Sequence, residues 1–182
     1  LPSFPTRRSS DLFASELHAF ELDRPEFAHF VIDQRPDAVI HLQTVDRSAL
    51  LGGRRAHDEA VVGAQALFGA IQRCNQITHV VVKSDVCIYG MGPRNPSVVA
   101  EDADLEAGRG RFAKDLQALE AYIRGAARRR RDVTFTVLRF APIFGAAIAN
   151  PISRYLRLPV VPTRLGYDPR LQLVAEGDAV RA

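Results

Sequence analysis

A chain of 182 residues, 47% of them hydrophobic and 25% charged, has the make-up of one soluble globular domain long enough to enclose a core. That composition excludes disorder, collagen and a disulfide scaffold, and no apolar run approaches the ~20 residues of a membrane span. The net charge of +3 is too small to point to nucleic acid, whose binding domains concentrate basic residues on one face.

In chain order, Ser3 to Leu12 (SFPTRRSSDL) resembles the translated frame of a short-read sequencing adapter, so residues 1–12 are set aside as a non-native scar. No apolar leader with a small-residue cleavage site is present, which makes the cytoplasm the default location. Pro25 to Gln34 is predicted helical, with Phe27, Phe30 and Val31 on one face. Pro36 blocks its continuation, and Asp37 to Leu42 reads as a compact β-branched strand. A helix over about Arg54 to Cys74 follows from the spacing of Val61, Ala64, Leu67, Phe68 and Ile71. Ile77 to Val82 is a nearly unbroken apolar run, as expected of a strand buried on both faces.

Gly90 to Gly110, rich in Gly, Pro and acidic residues, is expected to be a long excursion above the sheet. A helix over Arg111 to Arg129 and a strand over Val133 to Phe140 come next. After Gly145 the signal weakens into a short helix near Ile152 to Leu156 and an extended Leu158 to Pro162, and Asp178 to Ala182 is a single turn too short to be a helix in its own right. Alternating strands and helices describe a parallel sheet covered by helices.

Cys74 and Cys87 are too widely spaced for a metal motif and read as buried free thiols. Of the 24 basic residues only Lys83 and Lys114 are lysine, and Lys114 reads as a solvated surface residue. Arg128 to Arg131 reads as a solvated helix end, where cations face the carbonyl end of the dipole.

Four landmarks occur in a fixed order: Pro36-Asp-Ala-Val-Ile-His-Leu42, Val80-Val-Val-Lys-Ser-Asp-Val-Cys-Ile-Tyr-Gly90, a helix beginning at Phe112, and Thr136-Val-Leu-Arg-Phe-Ala-Pro-Ile-Phe-Gly145. Over Phe20 to Ala182 they resemble the extended short-chain dehydrogenase/reductase family, the NAD-dependent epimerases and dehydratases of nucleotide sugars. From Val133 onward the chain resembles a bacterial UDP-glucose 4-epimerase-like subgroup that keeps the fold without the usual active-site tetrad. The resemblance implies an α/β fold, a Rossmann-type doubly wound parallel sheet, truncated before its glycine-rich first βα unit and at its C-terminus. Residues 13–145 would be a partial NAD-binding domain and residues 146–182 the start of the substrate-binding part.

The same resemblance implies NAD or NADP as cofactor, a nucleotide-sugar-like small molecule as ligand and a homodimer of the full-length protein, with no nucleic acid, membrane or metal. Ligands of such sheets sit at the carboxyl ends of the strands. The implied cofactor contacts are therefore His41, Leu42 and Gln43 after the first strand, Lys83 and Ser84 after the second, and Phe140, Ala141 and Pro142 after the third. His41 also reads as a hydrogen-bonded strand-end histidine, and Gly90 and Gly145 as turn residues. No G-x-x-G-x-x-G occurs in the sequence, so weak or absent dinucleotide binding is expected of this chain.

Family members carry a Tyr-x-x-x-Lys pair for proton transfer and ribose binding, an active Ser/Thr and a structural Asn. Aligned on Glu120, which resembles the family's helical glutamate, and on Tyr89, these four positions are Phe112, Leu116, Asp85 and Ala60. Neither Phe112 nor Leu116 can move a proton. The remaining catalytic candidates are Asp85, Ser84 and Tyr89, with Ser84 able to donate to a sugar oxygen and ionised Asp85 only able to accept. Two expectations follow: a family protein nominally working by transient hydride transfer but catalytically incompetent in this chain, or a non-catalytic binder of dinucleotides or sugar nucleotides.

Overall fold

The computed structural model describes residues 18–21, 24–43, 53–90, 96, 98–103, 111–146, 148, 150–163, 166 and 171–182. The segment 1–12 and most of the excursion 90–110 lie outside the described residues. Helix α1 (Pro25–Gln34) has its proline in the first turn, where a missing N–H costs nothing. It ends at Arg35 with φ 45°, a left-handed cap after which Pro36 cannot continue the helix. Strand β1 (Ala38–His41), helix α2 (Gly53–Ile71), strand β2 (His79–Asp85), helix α3 (Arg111–Arg129) and strand β3 (Thr134–Phe140) then alternate. The three strands form one parallel sheet in the order β1-β2-β3, the α/β arrangement of a Rossmann-type fold.

The register places Val39 beside Val80 and Val80 beside Phe135, and two residues on His41, Val82 and Val137 line up in the same way. Because strand side chains alternate, these residues share one face, which packs under Phe68 and Ile71 of α2 and Leu119 and Ile123 of α3. Phe27, Phe30 and Val31 of α1 close the same core. The opposite face carries Ile40, which is 66% exposed. Both thiols are free and buried, and burial pushes that of Cys74 up.

Strand β2 runs on from the apolar stretch through Lys83, Ser84 and Asp85, paired in register with Leu138, Arg139 and Phe140. Apolar patterning ends at Val82, but the ladder does not, and at the strand end Ser84 and Asp85 bond Glu120 and the Cys87 N–H. A 3-10 helix (Val86–Tyr89) follows, capped by Asp85, whose carboxylate accepts the Cys87 N–H at 2.8 Å. Gly90, at φ 81°, closes it with its N–H on the Cys87 carbonyl at 3.0 Å.

The arginine run is not uniformly solvated. Arg128, Arg129 and Arg131 are exposed, but Arg130 is buried and donates to the Ile71 carbonyl at 2.8 Å and the Cys74 carbonyl at 3.2 Å. The Ile71 carbonyl ends α2 and the Cys74 carbonyl follows in the turn; each already accepts a backbone N–H, from Cys74 and Ile77, and the guanidinium bonds them a second time, tying the end of α2 to the start of β3.

The C-terminal part also departs from expectation. Strands β4 (Ile143–Phe144) and β5 (Val174–Ala175) form a separate parallel pair, flanking helix α4 (Pro151–Leu156). Residues 158–160 bend back toward α4 rather than running extended, and the Tyr155 hydroxyl donates to the Pro162 carbonyl. The single turn at the end is part of helix α5 (Glu176–Arg181), which docks on β4 and β5 and so gains the support that its length alone would not give it. Gly145 lies close under that helix: a Cβ there would meet Glu176 Cβ at 3.0 Å and Ile148 Cγ1 at 3.2 Å.

Candidate functional site

A cavity of about 330 Å³ opens at the carboxyl ends of β1, β2 and β3. Leu42 and Gln43 leave β1 into its wall, Lys83, Ser84 and Asp85 end β2 there, and Phe140, Ala141 and Pro142 carry β3 past it. Phe112, in the first turn of α3, adds an aromatic wall. The structure thus brings seven of the eight expected cofactor contacts around one cavity, with Asp85 and Phe112 beside them.

The eighth, His41, does not line it. Its ring is buried, edge-on to Phe68 at 6.2 Å, and its Nε2 has no hydrogen-bond partner. The hydrogen bond expected of a strand-end histidine is missing at that nitrogen, and burial lowers the imidazole pKa below 6.5.

Tyr89 also stands away from the cavity wall, in a polar network on the helix-covered side of the sheet. At its centre is Glu120 of α3, only 2% exposed. Arg139 grips this carboxylate with two bonds, Nε to Oε1 at 3.0 Å and Nη2 to Oε2 at 2.6 Å. The Ser84 hydroxyl donates to the same Oε1 at 2.7 Å, and Arg124 adds an ion pair at 3.6 Å. The Arg139 guanidinium also lies over the Tyr89 ring at 4.9 Å from its centroid and donates to its hydroxyl at 2.5 Å. Glu120, and then Tyr89, hold Arg139 well above the ordinary guanidinium range against the opposing effect of burial. Ser84 and Tyr89 thus have their hydroxyls engaged in fastening α3 and the 3-10 helix to the sheet.

The helix supplies no proton-transfer group to the cavity among the described residues. Phe112 lines it, Leu116 is 1% exposed and buried beneath the helix, and Lys114 faces solvent. The side chain of Ala60 lies outside the described residues. Among the described residues, the ionisable side chains on the cavity wall are Lys83 and Asp85.

The far wall was not foreseen from the sequence. Ile143, Ile148, Pro151 and Ile152 form it, and Asn150 ties it down. Asn150 Oδ1 accepts the Ser153 N–H at 2.8 Å, Ser153 Oγ accepts the Asn150 N–H at 2.9 Å, and Asn150 Nδ2 donates to the Ile143 carbonyl at 2.6 Å. This is a capping box with proline in the first turn, and Asn-Pro-x-Ser was a legible helix-start signal. Among the described residues no cluster of three His, Cys, Asp or Glu could hold a metal, and no helix is long and apolar enough to cross a membrane.

Comparison with known proteins gives these features a family. An uncharacterized protein of Mycobacterium tuberculosis and one of Mycobacterium bovis are each 37% identical to the chain over 164 residues, 89% of this chain and 44% of theirs. The chain therefore spans less than half the length of these curated relatives.

Among solved structures, the nucleoside-diphosphate-sugar epimerase of Agrobacterium tumefaciens superposes with a TM-score of 0.67 at 18% identity, over 82% of this chain and 45% of that one. A UDP-glucose-4-epimerase of Stenotrophomonas maltophila, solved with NAD and formylated UDP-arabinopyranose, gives 0.57 at 25% identity, over 72% of this chain and 38% of that one. The model of the NAD dependent epimerase/dehydratase family matches residues 2–181, and the chain belongs to that family.

Proposed function

We propose that the cavity is part of a crevice for a nucleotide-sugar or dinucleotide ligand, and that this chain binds there without performing the proton transfers of an epimerase or dehydratase. The observation that carries the reading is the α3 wall: Phe112 lines the cavity and Leu116 is buried, at the positions where the resemblance places the tyrosine and lysine. A phenyl ring and an isobutyl group can shape a pocket but cannot hold or move a proton. Ser84 and Tyr89, the candidates that could substitute, are engaged with Glu120 and Arg139, and Asp85 caps the 3-10 helix. The family membership and the ligands of the Stenotrophomonas epimerase support the ligand class.

The residues present fit only part of a dinucleotide. A cavity of about 330 Å³ lies near the lower limit of ligand sites, ~300 Å³, and the sequence has no G-x-x-G-x-x-G to cradle a pyrophosphate. NAD, when bound to a family member, supplies reversible hydride transfer; in this chain Leu42, Gln43 and Phe140 to Pro142 would contribute one wall of its site. The division into residues 13–145 and 146–182, the cytoplasmic location, and a dimer of a longer protein belong to the same proposal.

The test is turnover against binding. The chain is incubated with NAD and a panel of UDP-sugars, and the sugar is followed by proton NMR while ligand binding is read by calorimetry. The expected result is unchanged sugar with weak or undetectable NAD binding. Epimerised or dehydrated product would overturn the non-catalytic reading, and sub-micromolar NAD affinity would overturn the partial-site reading.

A further inference from the structure

Three cationic side chains in the described residues are at least partly buried: Arg130, Arg139 and Lys83. The two arginines each have a carboxylate, Asp132 and Glu120, at 2.7 and 2.6 Å. The Lys83 side chain forms no hydrogen bond or ion pair with any described residue, although Lys83 stands on the cavity wall. Its three donors remain available to whatever enters the cavity. The same cavity is lined by the apolar side chains of Phe112, Phe140, Ile148 and Ile152.

Among the described residues the other ionisable group on that wall is Asp85, which shares the strand face of Lys83 two residues on. Its carboxylate is turned to the Cys87 N–H. The resemblance puts the family's lysine at Leu116 on α3, and there the chain has none. The amine at the cavity comes instead from β2.

We infer that Lys83 is the charge contact of the cavity, meeting an oxyanion of a ligand whose remaining surface rests on the apolar wall. This rests on the binding reading above and adds the residue that would select the ligand. A phosphate or a carboxylate would satisfy the same ammonium, and the experiment separates them.

Because Lys83 and Lys114 are the only lysines, acylation can be read residue by residue with an internal control. The chain is treated with a limiting amine-acylating reagent alone and with millimolar UDP, D-glucuronate, uridine or glucose, and both lysines are quantified by mass spectrometry. The expected result is slower acylation of Lys83 with UDP or with glucuronate, no slowing with the uncharged uridine or glucose, and an unchanged Lys114. UDP alone protecting assigns a phosphate, and glucuronate alone a carboxylate.

In parallel, Lys83→Met is expected to weaken binding of the protecting ligand about tenfold, the loss of one charge-assisted hydrogen bond, with Lys83→Arg restoring most of it. Ligand binding detected by NMR at Phe112 or Phe140 with no protection of Lys83, or equal affinity in Lys83→Met, would overturn the inference and leave the binding reading intact. No binding of any probe would overturn both.

Discussion

Arg130 and Arg139 anchor opposite ends of β3, and their partners differ in one respect. Arg130, at the amino end, donates to α2 carbonyls and to Asp132, whose side chain is 60% exposed. Arg139, at the carboxyl end, is paired with Glu120, whose side chain is 2% exposed and also accepts the Ser84 hydroxyl, and donates to the Tyr89 hydroxyl. Where the carboxylate is in water, its loss leaves a guanidinium that still has carbonyls and solvent. Where it is buried, neither member tolerates the loss of the other. The buried pair also stands next to the cavity, through Ser84 on its wall, so one end of the sheet is held by guanidinium bonds to backbone carbonyls and the other by a buried polar network.

The sharpest way to break this contrast is to remove one member of the buried pair. Glu120→Leu or Arg139→Met is each expected to cost about 3–5 kcal/mol in urea unfolding, because a buried charge is stranded. The double variant should recover much of that loss, and equal additive losses would show that the two groups do not act as a pair. At the other end, Arg130→Met is expected to cost about 1–3 kcal/mol, the effect of losing the charged bonds to the Ile71 and Cys74 carbonyls, and Asp132→Asn less than that. A larger effect for Asp132→Asn than for Arg130→Met would reverse the assignment of carbonyl bonding as the main role.

The pH dependence sharpens the same comparison. His41 sits buried near the Arg139 end with Nε2 unpartnered, and burial holds its folded pKa below 6.5. Between that lowered value and 6.5 the unfolded chain binds a proton that the folded chain does not, so the melting temperature should fall as pH drops through about 6.5. His41→Gln is expected to flatten that slope, and an unchanged slope would count against it.

The smallest effect belongs to Asp132. The Arg130 guanidinium holds its carboxyl below 3.8, so its stabilisation is present above that value and is lost as pH falls through the lowered one. Asp132→Asn should therefore narrow the gap to the parent chain only in strongly acidic solution.

The alternating elements were legible because their apolar residues fall at helical or strand spacing: α1 and α3 have the boundaries read from the sequence. That residues of three strand ends gather around one cavity was legible for a related reason, since parallel strands deliver their carboxyl ends to one edge of the sheet. Less legible were features whose partners are distant in sequence. Glu120 and Arg139 are separated by 19 residues, and Arg130 reaches Ile71 across 59. Nothing local tells a buried guanidinium from three solvated ones in the same run. The β4 and β5 pair was missed because two residues per strand are too few for periodicity to register, and α5 because its support comes from that pair.

The central claim, ligand binding at the strand ends without turnover, is tested most directly by hydrogen exchange of the chain with and without saturating UDP-glucose and NAD, with the sugar recovered from the same sample. The account predicts slowed exchange at residues 42–43, 83–85 and 140–142 and unaltered sugar. Protection confined to other segments, or epimerised sugar in the recovered sample, would contradict it.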